Sequence, residues 1–250
     1  MGGVIVSLTS FPERIDNVWQ VIECMLHQTV LPKKIILWLS KEQFTSKESI
    51  PTTLSSLENG IFEIRFVDGD IRSHKKWFYA FKEYKDELVF LIDDDLYYPD
   101  DIIKKTMNAY MENSNAIICN YGRKPIFNDD GTLQSYNSWH TYHSESNSNV
   151  FFGSGGGTLI KPSMLHEDTL NIDLCLSLTP MADDIWLNAM CNLAGLKKHL
   201  LKYGSYLPIV NENNSTLCSI NVEQNLNDVQ LNDVISYYKN NFNLNPFNRN

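Results

Sequence analysis

Basic residues are scarce in this chain: 21 Lys and Arg stand against 30 Asp and Glu, a formal charge of −9. A phosphate backbone is bound mainly by clustered Lys and Arg, so the balance excludes nucleic acid as the expected partner. It also excludes anchoring by a broad polybasic surface, leaving open peripheral membrane association through a local patch. No apolar run reaches the roughly 18 residues that would cross a bilayer. Cysteine is sparse and scattered, at Cys24, Cys119, Cys175, Cys191 and Cys218, with no CxxC pair. Such a set reads as reduced, buried thiols. The first residues enter a strand at once, which leaves no room for a secretory signal. Val6 breaks the myristoylation pattern. A soluble cytoplasmic enzyme, at most at the inner face of the cell membrane, is the expectation. Neither an internal repeat nor a linker divides the chain, so residues 1–250 are expected to form a single compact domain.

What is there is an alternation of apolar runs and helical patterns. Val4–Leu8, Ile35–Leu39, Ile61–Val67, Leu88–Ile92 and Ala116–Cys119 read as strands. Helices are expected from Asn17 to about His27, weakly near Ile50–Leu57, over Lys75–Tyr84, and from Pro99 to about Met111. That order predicts an α/β fold, a Rossmann-like, mostly parallel sheet flanked by helices. Ligands in such sheets bind beyond the carboxyl ends of the strands. From Tyr121 to Asn149 the periodicity breaks, and a segment this long is usually functional or disordered. Strands at Val150–Phe152 and Thr158–Ile160, a helix over Asp183–Leu193 and a last helix near Val229–Asn240 complete the pattern.

The strongest chemical signal is Asp93-Asp94-Asp95 at the end of an apolar strand. Repulsion and desolvation would raise the pKa values of such carboxylates unless a cation neutralised them. Mn²⁺ or Mg²⁺ suits oxygen ligands and accepts phosphate oxygens in its remaining positions. Alternation along a strand end lets Asp93 and Asp95 share that metal while Asp94 faces elsewhere. An EF-hand does not fit, because Tyr98 stands at the glycine position and Lys104 at the bidentate glutamate position. A solvated acidic turn is the competing explanation, and it suits Asp100 and Asp101 better than the triad.

Asp93-Asp94-Asp95-Leu96-Tyr97-Tyr98-Pro99, the N-terminal strand and the helix start Ala182-Asp183-Asp184-Ile185-Trp186-Leu187 together resemble GT-A fold glycosyltransferases. The pattern is most similar to bacterial family-2-like enzymes of surface-polysaccharide synthesis, over about residues 4 to 235. The resemblance implies a donor half over about 1–120, an acceptor and catalytic half over about 121–235, and a C-terminal tail over 236–250. It implies a nucleotide-sugar donor, UDP-sugar favoured, and a carbohydrate or lipid-linked sugar acceptor. Asp184 becomes the general base, with Asp183 orienting the acceptor, although a simple helix cap also accounts for Asp183. Direct attack opposite the leaving group would invert the anomeric configuration. Donor contacts fall to Thr9, Ser10 and Arg14 after the first strand, to Asp68 and to Lys75 or Lys76 after the third, and to Asp93 and Asp94. His199 is a candidate third metal ligand by analogy with later histidines in GT-A enzymes.

On the acceptor side, Trp139 stands amid polar neighbours with little apolar context, and Arg123 lies in the same long segment, beside Tyr121, Tyr136, His140 and Tyr142. Aromatic faces plus polar groups suit a sugar. Gly155, Gly156 and Gly157 permit either close backbone approach to a sugar or a bulge. A lone glycine run is no dinucleotide site, since no strand–GxGxxG–helix context surrounds it. A nucleotidylyltransferase would also use such a sheet and Mg²⁺, but it needs a glycine-rich basic loop where Thr9–Arg14 has no glycine. A non-catalytic carbohydrate- or metal-binding module is the remaining alternative.

Overall fold

The structure, a computed structural model, describes residues 3–142, 145, 149–202, 207–209 and 225–248. Cys218 lies outside the described residues. Strand β1 (Ile5–Thr9) is followed by helix α1 (Val18–Leu26), β2 (Lys34–Ser40), the short α2 (Thr52–Ser55), β3 (Phe62–Val67), α3 (Lys75–Glu83) and β4 (Val89–Ile92). The dyad β5 (Leu96–Tyr97), α4 (Ile102–Glu112), β6 (Ala116–Cys119) and three short strands β7 (Gly122–Lys124), β8 (His140–Thr141) and β9 (Phe151–Phe152) come next. The chain continues with β10 (Gly156–Ile160), α5 (Ile172–Leu178), α6 (Asp183–Leu193), β11 (Lys197–Leu200), β12 (Leu207–Pro208) and α7 (Leu226–Phe242).

Among the described residues the main sheet is seven-stranded, in the order β11-β6-β10-β4-β1-β2-β3. β4, β1, β2 and β3 run parallel, as do β11 and β6, whereas β10 runs antiparallel to both β4 and β6. The antiparallel member has a simple cause. A parallel strand needs a crossover of a dozen or more residues, usually helical; β10 instead enters directly from β9 through Gly153-Ser154-Gly155. Residues 121–149, unpatterned in sequence, contribute β7 and β8, which with β9 form a small three-stranded sheet.

Both faces of the main sheet are covered, which explains the near-continuous apolar strands. In β1, Ile5 faces the cluster containing Trp77, Trp186 and Tyr238, while Val6 and Leu8 face the one built on Val21, Ile22 and Ile102. Ser7 is the polar exception on the first face. Its buried hydroxyl accepts from the Trp38 indole at 2.9 Å and donates to the backbone carbonyl of Lys76. The hydroxyl therefore ties the first strand to the start of α3.

Several expectations need correction. α4 begins at Ile102, not at Pro99, because Pro99 still belongs to the turn leaving β5. The expected tail from 236 does not exist as a tail: α7 runs to Phe242, and Tyr238 and Phe247 pack into the core. Cys119, Cys175 and Cys191 are buried free thiols, and Cys24 is half-buried. Among the described residues, no helix is long and apolar enough to cross a membrane.

Candidate active site

The loops after β1, β2, β3 and β4 and the start of α6 enclose a cleft of about 560 Å³. Thr9, Ser10, Arg14, Lys75, Lys76, Asp93, Asp94, Asp95, Arg123, Asp183 and Asp184 all line it. Residues far apart in sequence thus meet at the carboxyl ends of the strands, where this fold class places its ligands.

Two basic side chains organise the acidic groups. Arg14 places Nη1 at 2.8 Å from Asp94 Oδ1 and 2.6 Å from Asp95 Oδ2. Ser10 Oγ donates to the other Asp94 oxygen at 2.6 Å. Asp94 is accordingly a buried anchor for the β1 loop, and its carboxylate is occupied by protein donors. Lys76 Nζ lies 2.7 Å from Asp93 Oδ1 and 3.0 Å from Asp183 Oδ2, so one ammonium joins the two acidic motifs. Lys75, one residue earlier, points to Asp70 instead. Consecutive residues of a helix project about 100° apart, so neighbouring lysines reach different partners.

Burial alone would lower the Lys76 pKa, but Asp183 and Asp93 outweigh it and raise it. Burial would raise Asp183, yet Lys76 and the neighbouring His74 pull it below the ordinary carboxylate range. Asp184 goes the other way: burial and the adjacent Asp183 push it up to about 7. Its Oδ1 accepts from the Ser154 amide at 2.7 Å, while Ser154 Oγ donates to Asp183 Oδ2 at 2.8 Å. One serine therefore fixes both acids. Burial, then Asp93, raises Asp95 to about 6 despite Arg14. Pairs of acids driven apart in pKa by their surroundings are a mark of acid–base sites.

Gly155 is required by this geometry. A Cβ there would fall 1.7 Å from Asp93 Oδ2, so the missing side chain is the space the carboxylate occupies. At Gly156 and Gly157 a Cβ would meet Tyr121 and Phe90. Tyr98 closes the junction, accepting from the Asp93 amide at 2.8 Å and contacting the Gly155 carbonyl. The donor chemistry at this point fits a hard divalent cation: Asp93 and Asp95 offer carboxylate oxygens beside a cleft with room for phosphate. Among the described residues no group of three or more His, Cys, Asp or Glu is gathered for a metal.

Three expected site residues lie elsewhere. His199 sits on β11, three strands from β4, with Nε2 3.1 Å from Glu145 Oε1. Asp68 has a side chain 89% exposed and paired with Lys41; its loop neighbour Asp70 lines the cleft in its place. Trp139 is buried, its ring 4.9 Å from Tyr136 and 5.3 Å from Phe151, and its indole donates to the Gln134 carbonyl. The local sequence hid that apolar context because Phe151 comes from a distant strand. Arg123 does line the cleft, its guanidinium 4.9 Å over the Tyr136 ring. Gln43, Asp70, Arg72, Ser73 and Phe151, given no individual role from sequence, also line the cleft. Position after a strand was the only available signal for Gln43.

Residues 4–151 match the family model described as the glycosyl transferase family 64 domain. No curated protein sequence matches the chain. Among solved structures, S. aureus TarS 1-349 in complex with UDP is similar with a TM-score of 0.52 at 14% identity, covering 82% of this chain and 59% of that one. The same protein in complex with UDP-GlcNAc gives 0.56 at 12% identity, covering 98% and 74%. This chain therefore matches about three fifths of the first of these structures, and at such identities the likeness is one of fold.

Proposed function

Because the chain belongs to the glycosyl transferase family 64 domain family, we propose that it transfers a sugar from a nucleotide-sugar, preferentially a UDP-sugar, to a carbohydrate or lipid-linked acceptor. The observation that supports this reading is the Lys76 ammonium held between Asp93 and Asp183, which joins the two acidic motifs in one cleft. The fold is shared with TarS structures that hold UDP and UDP-GlcNAc, which supports the choice of donor. Asp93 and Asp95 would hold Mn²⁺ or Mg²⁺ against the donor diphosphate, supplying Lewis-acid stabilisation of the leaving group worth several kcal/mol.

The chain's own residues do the rest. Arg14 and Lys76 place positive charge along the cleft wall and keep the acids in position. Asp184, with a pKa near 7, is matched to removing a proton from an acceptor hydroxyl near neutral pH. Asp183 stays ionised beside Lys76 and orients the acceptor. Attack from the Asp184 side, opposite the diphosphate, inverts the anomeric centre. A GT-A enzyme of bacterial surface-polysaccharide synthesis, acting in the cytoplasm or at the inner membrane face, is the setting we assign to it. The test is release of UDP from UDP-sugars in Mn²⁺, with water taking the acceptor's place slowly. Release should vanish in chelator and in Asp95→Asn. Release indifferent to both would contradict the metal-assisted reading.

A further inference from the structure

Strand β11 puts a lysine where the surroundings suit an apolar residue. Lys198 is buried, in register with Ile117 of β6, and its amine lies 5.6 Å from the centroid of the Phe152 ring. Among the described residues it pairs with no carboxylate; the ionisable groups acting on it are the Cys191 and Cys119 thiols, and burial lowers its pKa. An amine withdrawn from water without a counter-ion is costly, and an aliphatic side chain would avoid that cost. The hydrogen bond it makes runs to Asn188 Oδ1, at 2.9 Å.

Asn188, on α6, is fully buried, and its amide is used to capacity. Oδ1 accepts from the Phe152 amide at 3.1 Å as well as from Lys198. Nδ2 donates to the Phe152 carbonyl at 2.8 Å and to the Asp184 carbonyl at 2.9 Å. Two N–H groups and two lone pairs are all that such a side chain offers. Asn188 thus pairs with both backbone groups of Phe152, as a neighbouring strand would. A flipped amide would turn its N–H groups toward the donors of Lys198 and Phe152, so the lysine locks the orientation.

Phe152 ends β9, and two residues later Ser154 holds Asp184 through its amide and Asp183 through its hydroxyl. Asp184 is therefore gripped twice from one short segment. Asn188, which holds Phe152, takes its carbonyl, and Ser154 takes its carboxylate. Any shift of β9 against α6 would move that carboxylate within the cleft, and a displacement of about 1 Å can cost roughly 10²-fold in rate.

We propose that Asn188, locked by Lys198, is a positioning residue that sets the Asp184 carboxylate against the acceptor hydroxyl. The assignment rests on the transfer reading above and extends its machinery to β11, at the far edge of the sheet.

Two variants and two readouts test it. Lys198→Met keeps similar volume and leaves Asn188 its bonds to Phe152 and Asp184, whereas Asn188→Ala removes the clamp. Release of UDP to water is measured with UDP-glucose, UDP-galactose and UDP-GlcNAc in Mn²⁺. The Asp184 titration is followed by ¹³C NMR of aspartate-labelled protein, its signal identified by its absence from Asp184→Asn. Lys198→Met should keep or raise Tm, since an apolar isostere suits such a site at least as well. It should nevertheless lower kcat about 10-fold, and Asn188→Ala about 10²-fold, with donor KM unchanged in both. Both should move the Asp184 midpoint up from about 7, because the Ser154 amide that favours the ionised form is no longer held in place. Asp183 and Lys76, the charged groups acting on that carboxylate, are unaltered in either variant. A residue serving packing alone would change Tm and leave midpoint and kcat where they were. Lys198→Met with wild-type kcat and midpoint would overturn the assignment, as would a lowered kcat with an unmoved midpoint. If the wild type releases UDP from none of the three donors, the transfer reading falls, while a shifted midpoint still shows the clamp acting on Asp184.

Discussion

Lys76→Met is expected to destabilise the protein by about 3–5 kcal/mol, the cost of removing one partner from a buried ion pair. The lysine side chain is 5% exposed and neutralises Asp93 and Asp183 together. Methionine fills similar volume but leaves Asp183 beside Asp184 with no counter-ion. At about 2–4 °C per kcal/mol for a domain of this size, Tm should fall by roughly 6–20 °C. The deficit should depend on pH in a definite sense. Asp183 has a folded pKa below its unfolded value, so its contribution is present above the unfolded pKa and lost as pH falls through the folded one. Without Lys76 that contribution disappears, so the gap between variant and wild type should persist from pH 8 down to about pH 4 and narrow only as pH falls from there toward about 2. Thermal unfolding across that range checks this. A Tm unchanged at neutral pH would show that the Lys76 bridge does not hold the two motifs together.

Asp184→Asn should separate catalysis from stability. Loss of a proton acceptor typically costs about 10²–10⁴ in rate, and the donor does not need this carboxylate, so turnover should drop by that factor with donor affinity nearly constant. Asn retains an oxygen for the Ser154 amide, which donates to Oδ1 at 2.7 Å. It also removes the repulsion with Asp183. Since Asp184 is raised to about 7 when folded, ionising it opposes folding. Stability attached to its protonated form is full below the unfolded pKa and falls as pH rises to about 7. The Asn variant should therefore match the wild type near pH 4 and exceed it above pH 7. After discounting for partial exposure, a gain of about 1–2 kcal/mol, or roughly 2–8 °C, is expected. Wild-type turnover should itself rise with pH through about 7. Near-normal turnover in the variant would take Asp184 out of the proton-transfer role.

Much of this architecture was legible in sequence because its signals are local. Runs such as Ile35–Leu39 announce strands buried on both faces, and Asp93-Asp94-Asp95 after Val89–Ile92 announces a charged strand end. What could not be read was anything set by non-local pairing. Lys75 and Lys76 are indistinguishable along the chain, and only the orientation of α3 against β4 and α6 selects Lys76 for the acids. Asp70 and not Asp68 turns inward because Gly69, at φ 77°, and the left-handed Arg72 reverse the loop. The apolar surroundings of Trp139 come from Phe151, beyond the reach of any sequence window. Pleat alternation failed to place Asp94 for a different reason: β4 ends at Ile92, so the three acids lie in a turn, where period two no longer holds.

The claim on which the rest depends is that a nucleoside diphosphate and a divalent cation bind the cleft as a pair. Thermal unfolding of the wild-type protein with UDP, with Mn²⁺, and with both measures this directly. Tm should rise by several degrees with both together, and by much less with either alone, since binding at about 100 times Kd adds about 2.7 kcal/mol. An unmoved Tm under saturating UDP and Mn²⁺, or a shift from UDP that Mn²⁺ does not enlarge, would contradict the account.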